Sequence, residues 1–391
     1  MARLEVDAVT KIFGASVRAV DGLSFAVADR EFVFLLGPSG AGKTTTLRMI
    51  AGLEQPSDGR VLIDGRDMTW AAPRDRNVAM VYDRNSLYPH LSAYENMAYP
   101  LRLRRTPGAE LDARVKRVAE ILRIGELLDR APRQLSGGQQ QRVAIGRMLV
   151  RDAGLYLMDE PISHLDAKLR SHMRLEFKKL QSEFAATILY VSHDQLEAMT
   201  MADRIIVVDH GAIQQIGAPR EIFQRPANRF VAGFVGEPAM NFLACEVRAD
   251  GGKIAAAGDG FSLPLCAEHA AALSAVARTP KAFEIGLRPQ HLAIAGNGAE
   301  DGDERESGIG GTIYAVETLG SATVFDVSVG QTVIRVQANQ DALPNRAFRI
   351  NDPVRIRVDT RRLHLFDRES GRAAIHPSLS RESGRLAVLG A

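Results

Sequence analysis

The sequence predicts two domains of different class, a mostly parallel α/β sheet with a helical subdomain and then an all-β barrel. Three observations predict it. Apolar strand runs alternate with amphipathic helical patterns over roughly the first 235 residues. A Gly-rich loop joins one of those runs to the helix that follows. After about residue 236, short alternating strands replace the long helices. At 391 residues the chain is also too long for one compact core.

The strand runs of the first domain are E-F-V-F-L-L (31–36), N-V-A-M-V-Y (77–82), G-L-Y-L-M-D (154–159), A-T-I-L-Y-V-S (186–192) and R-I-I-V-V-D (204–209). Between them D-A-R-V-K-R-V-A-E-I-L (112–122) places Val115, Val118, Ala119 and Leu122 on one helical face, and 167–180 shows the same spacing. The boundaries that follow are an α/β domain over 1–235 with a helical subdomain at about 84–150, a β domain over 236–367, and a flexible tail over 368–391. In the β domain, T-V-F-D-V-S-V (323–329), T-V-I-R-V-Q-A (332–338) and V-R-I-R-V-D (354–359) alternate with period 2 between Gly, Asn and Pro turns, the pattern of a small barrel or sandwich. The acidic, Gly-rich stretch 296–311 reads as a mobile loop, and R-E-S-G-R, repeated at 368–372 and 381–385, as part of a frayed terminus.

Composition narrows the function classes. Lys plus Arg exceeds Asp plus Glu by only two, and no basic stripe interleaved with aromatics is present, so no nucleic-acid partner is expected. Cys245 and Cys266 lack partners at metal-ligand spacing and suit a reducing compartment. The amino terminus, M-A-R-L-E-V-D, has no signal-peptide core, and F-V-F-L-L is far too short to span a bilayer. Any membrane role is therefore expected to come through a partner, with the chain on the cytoplasmic side.

The chemistry is concentrated in three stretches. G-P-S-G-A-G-K-T (37–44) follows a strand and opens a helix, which matches the phosphate-loop template in its required context. Gly37, Pro38, Ser39, Gly40, Ala41, Gly42, Lys43, Thr44 and Thr45 would line a nucleotide's phosphates, with inward N–H groups and a helix N-terminus supplying positive potential. Lys43 would bridge the β- and γ-phosphates of ATP, and the Thr44 hydroxyl would ligate Mg²⁺. L-Y-L-M-D-E (155–160) is an apolar strand ending in two carboxylates. Strand neighbours point to opposite faces, so the two acids take different work: Asp159 in the Mg²⁺ shell, Glu160 polarising an attacking water. In L-S-G-G-Q-Q-Q-R (135–142), Ser136, Gly137 and Gly138 form a second anion-binding helix start, and two glycines inside a helix are costly unless a ligand approaches closely.

The phosphate loop, L-S-G-G-Q, D-E-P, S-H-L-D and V-S-H-D, in that order over residues 3–235, resemble an ATP-binding-cassette (ABC) ATPase. The resemblance implies a phosphate-loop ATPase domain that dimerises head to tail, each ATP held between one subunit's phosphate loop and the other's signature motif. It implies that Lys43, Thr44, Asp159 and Glu160 act within one subunit, and that Ser136, Gly138 and Gln139 reach the partner's nucleotide. His193 matches the switch histidine that contacts the γ-phosphate, and Phe13 the aromatic that stacks on adenine. F-V-A-G-F-V-G-E-P-A-M-N-F-L (230–243) and I-G-L-R-P-Q-H-L (285–292) resemble the junction and OB-like, TOBE-like regulatory barrel of the maltose and glycerol-phosphate importer ATPases. The stretch from about Asp83 to Asn96 resembles the part that meets two membrane permease subunits. Resemblance thus reaches about Asp367 and implies a peripheral subunit on the cytoplasmic face of the cell membrane. A periplasmic or extracellular binding protein would deliver a sugar, polyol or glycerol phosphate; polyamine, iron and sulfate remain open as cargo.

Two positions depart from that family pattern: Asp83 stands where Gln is expected and His164 where Asn is usual. Asp cannot donate a hydrogen bond and carries a full charge; at an effective dielectric of 20, two like charges about 4 Å apart repel by roughly 4 kcal/mol. A shared Mg²⁺ would remove that repulsion, so Asp83 is expected as a further metal ligand beside Asp159, with hydrolysis or coupling altered. The departure also raises pairing with a non-identical ATPase chain, a heterodimer in place of a homodimer.

Overall fold

The computed structural model describes residues 3–14, 16–83, 87–184, 186–250, 253–273, 282–296, 306–339 and 348–377. Three predicted features lie partly outside these residues: 84–86 of the permease-facing stretch, 297–305 of the acidic stretch, and 378–391 of the tail. The chain divides into two units, Met1–Arg220 and Glu221–Ala391, so the helices just before the β domain fall largely with the second unit.

The first unit opens with β1 (Leu4–Phe13), β2 (Val17–Val27), β3 (Phe32–Leu36), α1 (Lys43–Ala51), β4 (Asp58–Ile63), β5 (Arg66–Asp67) and β6 (Val78–Val81). The helical stretch follows as α2 (Ala93–Leu103), α3 (Gly108–Ile121) and α4 (Gly137–Leu149). The unit closes with β7 (Leu155–Asp159), α5 (Ala167–Phe184), β8 (Thr187–Ser192), α6 (Gln195–Met201), β9 (Arg204–Asp209) and β10 (Ala212–Gly217). The central sheet runs β10-β9-β3-β8-β7-β6, parallel from β9 to β6, with β10 antiparallel at one edge. Every residue of β3, β7 and β8 is buried, as a parallel sheet covered on both faces requires, and this explains their unbroken apolar runs.

A second, antiparallel sheet of order β2-β1-β4-β5 was not anticipated from the sequence. Its pairing register slips between Val6 and Val9, where Ala8 adopts φ 49°, so the period-2 signal of β1 is broken. The helical stretch is held by local chemistry. Ser92 and Glu95 form a capping box at the start of α2, and α4 packs so closely that a Cβ on Gly146 would come within 2.8 Å of Met97 Cε. Arg76, 3% exposed, donates Nη1 to the carbonyls of Met49 (2.8 Å) and Ile50 (2.9 Å), a cation at the negative end of α1.

The second unit carries most of α7 (Pro219–Gln224), then α8 (Arg229–Phe234), β11 (Asn241–Asp250), β12 (Lys253–Gly258), β13 (Phe261–Pro264) and α9 (Ala267–Leu273). It continues with β14 (Ala282–Leu287), β15 (Leu292–Gly296), β16 (Glu306–Thr318), β17 (Ala322–Val329), β18 (Thr332–Asn339), β19 (Pro353–Asp359), β20 (His364–Asp367) and β21 (Ala373–Ile375). Two antiparallel sheets, β13-β12-β11-β14-β20-β21 and β15-β19-β16-β17-β18, enclose one core that includes Val247, Ile285, Leu365, Ile309, Val327 and Ile356. Arg288 is 1% exposed, donates Nη1 to Val235 O (2.7 Å) and Nη2 to Phe223 O, and stacks 3.7 Å from the Phe223 ring. Burial pushes its pKa down to about 10.

Beside Arg288 lies a cluster the sequence did not reveal. His269, His291, His364 and His376 each keep a buried Nδ1 without a hydrogen-bond partner, and the His364 and His376 rings are 6.0 Å apart. Burial holds all four below the usual histidine pKa. For His364, burial and then the Arg288, His376, His291 and His269 charges push it to about 2. Both cysteines are free; Cys245 is buried and its thiol is pushed up to about 12, mainly by desolvation, which makes it an inert core side chain.

Candidate active site

Strand register brings the chemical residues together. Leu36 pairs with Ser192, Asp159 with Val191, and Val81 with Met158. The loops after β3, β8, β7 and β6 therefore leave one sheet edge side by side. They carry, in that order, the phosphate loop, His193, Glu160 and Asp83. This is the carboxyl-end crevice in which open α/β sheets bind ligands.

The phosphate loop is built for close approach. A Cβ on Gly37 would lie 2.2 Å from Val208 O, and one on Gly42, at φ 92°, 2.3 Å from Ala19 O, so both positions require glycine. A Cβ on Gly40 would meet nothing within 4 Å, which leaves the loop open on its outer side. Helix α1 starts at Gly42 without a side-chain cap and without an acidic residue in its first turn, so its N–H groups and dipole remain for an external anion. Ala19, Ser39, Gly40, Gly42, Lys43, Thr44, Thr45 and Glu160 line a cleft of about 380 Å³ over this loop. Ala19, from β2, is a lining residue the motifs did not indicate.

Lys43 is 5% exposed and donates Nζ to the carbonyls of Gly37 (2.8 Å) and Pro38 (2.9 Å). Burial lowers its pKa, partly offset by Glu160 and Asp159. The Thr44 hydroxyl donates to Asp159 Oδ1 at 3.1 Å, so two of the expected Mg²⁺ ligands are adjacent. Asp159 is 2% exposed, and its pKa is raised to about 6, first by desolvation and then, despite the Thr44 hydrogen bond, by the Asp83 and Glu160 charges. Asp83 is exposed and close enough to act on that carboxylate.

Glu160 lies one residue past β7, with φ 44° and its N–H donated to Val191 O (3.0 Å). A left-handed backbone at a bulky residue is strained, and such strain collects at functional sites. Its Oε2 is 2.9 Å from His193 Nδ1. Ser163 Oγ donates to the Glu160 carbonyl (2.9 Å), while His164 is exposed.

The signature stretch is a helix start, as expected. Ser136 caps α4: its Oγ accepts from Gln139 N (3.3 Å), and Gln139 Oε1 accepts from Ser136 N (2.9 Å). That box uses the acceptor side of the Ser136 hydroxyl and leaves its O–H to be directed elsewhere. Gly137 has open space where a Cβ would lie, and at Gly138 the nearest atom would be Leu165 Cδ2, 3.4 Å away. Phe13 ends β1, 39% exposed, with Lys11 Nζ 5.0 Å from its ring centroid, and does not line the cleft. In the stretch expected from the sequence to meet the permeases, buried Asn96 donates to the carbonyls of Tyr88, Leu91 and Ser92 and accepts from Tyr88 N, which fixes that loop.

Comparison with known proteins agrees with this geometry. Residues 20–163 match the ABC transporter family, 236–292 the MalK OB fold domain and 285–366 the TOBE domain. The trehalose/maltose import ATP-binding protein MalK of Thermococcus litoralis is 44% identical over 381 residues, covering 95% of this chain and all of that protein. The sn-glycerol-3-phosphate import ATP-binding protein UgpC of Chromobacterium violaceum is 43% identical over 98% of this chain and 99% of its own length. Among solved structures, the ATP-binding cassette MJ0796, a dimer in a post-hydrolysis state bound to ADP and Pi, superposes with a TM-score of 0.52 at 32% identity, covering 56% of this chain and 99% of that one. The chain belongs to the ABC transporter family, as an ATP-binding subunit whose ATPase activity is coupled to transport, with an OB-fold and TOBE region after the cassette.

Proposed function

We infer that this subunit powers a bacterial importer for a sugar, polyol or glycerol phosphate, in a dimer of ATPase chains docked on two membrane permeases. The observation that carries the catalytic part is the convergence of the phosphate loop, Asp159, Glu160 and His193 on one sheet edge, with Glu160 and His193 2.9 Å apart. The cargo class rests on the named relatives, which import trehalose/maltose and sn-glycerol-3-phosphate. Among the described residues no helix is long and apolar enough to cross a membrane; we assign docking to the stretch from about Asp83 to Asn96, in which Asn96 accepts from Tyr88 N. Deleting the gene should abolish uptake of one such solute; undiminished uptake of all of them, with loss of polyamine, iron or sulfate uptake, would overturn the cargo class.

The chain's residues divide the work. The loop N–H groups, the start of α1 and Lys43 hold the phosphates, and Phe13 offers a ring face to the adenine. Glu160, positioned by His193, takes the proton of an attacking water, and His193 orients toward the terminal phosphate. Ser136, Gly137, Gly138 and Gln139 reach the partner's nucleotide. Thr44, Asp159 and Asp83 suit Mg²⁺: all offer hard oxygen donors, and the Asp83 and Glu160 charges that raise the Asp159 pKa are a repulsion a cation would relieve. When bound, the ion neutralises charge on the phosphates.

Asp83 is the finer part of this reading. Replacing it with Gln removes a charge from the Mg²⁺ shell. The Mg²⁺ concentration giving half-maximal ATPase rate should rise about tenfold, the lower end of the usual cost of weakening a metal's supporting groups. Identical Mg²⁺ dependence and identical transport-coupled turnover in Asp83→Gln would remove Asp83 from the metal site.

A further inference from the structure

Helix α4 carries three successive glutamines, and the structure gives each a different task. Gln139 closes the capping box, and Gln140 donates Nε2 to the carbonyls of Pro132 (3.0 Å) and Leu135 (3.2 Å). Gln141 is 1% exposed and donates Nε2 to Tyr82 O (3.1 Å) and Pro161 O (3.0 Å). Tyr82 immediately precedes Asp83, and Pro161 immediately follows Glu160. One side-chain amide thus grips the backbone beside both carboxylates. Its orientation is unambiguous, because both partners are carbonyls that can only accept, so the NH₂ must face them. Both N–H bonds are committed, and Oε1 is buried without a partner.

We propose that Gln141 is a positioning residue for ATP hydrolysis, fixing Asp83 and Glu160 relative to each other and to the signature end of α4. The proposal rests on the function inferred above and deepens it. Four residues separate Gln141 from Ser136, about one and a half turns, so the helix that presents Ser136 to a partner's nucleotide also sets the acids of its own site. Without the clamp the buried Pro161 carbonyl and the part-buried Tyr82 carbonyl lose this donor, and the loops carrying Asp83 and Glu160 are released to separate. A displacement of about 1 Å in reacting groups can cost about a hundredfold in rate.

The test uses the full chain with the wild type and Glu160→Gln as controls. Gln141→Met keeps side-chain length and removes both donors. Its kcat should fall about ten- to a hundredfold, with ATP affinity within about twofold of the wild type, since the Gln141 amide holds the Tyr82 and Pro161 carbonyls rather than the phosphate loop. Gln141→Glu keeps the shape and, when protonated, one O–H donor. It should exceed the Met variant near pH 6 and fall toward it as pH rises, a profile absent from the wild type. A kcat for Gln141→Met within twofold of the wild type overturns the proposal, as does loss of kcat and affinity in proportion to misfolded protein. If the Met variant does not fold, the Glu variant decides alone, and a profile parallel to the wild type overturns it. Absence of hydrolysis in the wild type would instead sink the proposed function, so the two failures are distinguishable.

Discussion

Glu160→Gln should lower kcat for ATP hydrolysis by at least about a hundredfold while leaving nucleotide binding close to that of the wild type. Removing a general base costs about 10²–10⁴ in rate. Gln keeps the size of Glu but cannot take a proton. The phosphate-binding apparatus is separate from it: the uncapped start of α1, the open Gly40 and the Lys43 ammonium remain in place. His193 should lose its effect in that background, because the contact through which it orients the base, Nδ1 to Oε2, has lost its charge. Steady-state turnover with and without a second His193→Ala change checks this: the second change should slow the wild type but barely alter the variant.

Acid should weaken the second unit through His364. A histidine held neutral in the fold, with its pKa pushed to about 2, binds a proton only on unfolding until the pH falls that far. The unfolded chain takes up its proton below about 6.5, so stability is fully present above that pH and declines by about 1.4 kcal/mol per pH unit beneath it. Between pH 6.5 and 4.5 this amounts to about 2 kcal/mol from His364 alone. The other three histidines shift the same way, and Arg288 opposes charging of His364 and His291. His364→Phe removes the titration and keeps a ring to stack on Phe366. Denaturant unfolding at the two pH values should show the wild type losing about 2–3 kcal/mol more than the variant; equal losses would rule the histidine out.

Much of the site was legible in the sequence because its chemistry is local. The phosphate loop, the D-E pair and the S-G-G helix start each need particular residue types within a few positions, and the buried parallel strands announce themselves as unbroken apolar runs. What was missed depends on register and packing. Strand β1 alternates correctly at Leu4 and Val6 but slips at Ala8, so the antiparallel sheet that supplies Ala19 to the cleft did not show. The histidine cluster gathers residues from four separate segments between 269 and 376, and no linear pattern marks it. Gln141 did leave a signal. With Ala144, Ile145 and Met148 it occupies the i, i+3, i+4, i+7 stripe that α4 buries, and a polar side chain on such a stripe needs a partner.

The proposed function rests on a composite site, in which the phosphate loop of one subunit meets the signature helix of another across ATP. Sedimentation of Glu160→Gln, which binds but does not cleave, measures it most directly. A dimer should form on adding ATP and Mg²⁺ and disappear when Ser136→Arg is added. A monomer with ATP present, or a dimer indifferent to both nucleotide and Ser136, would contradict it.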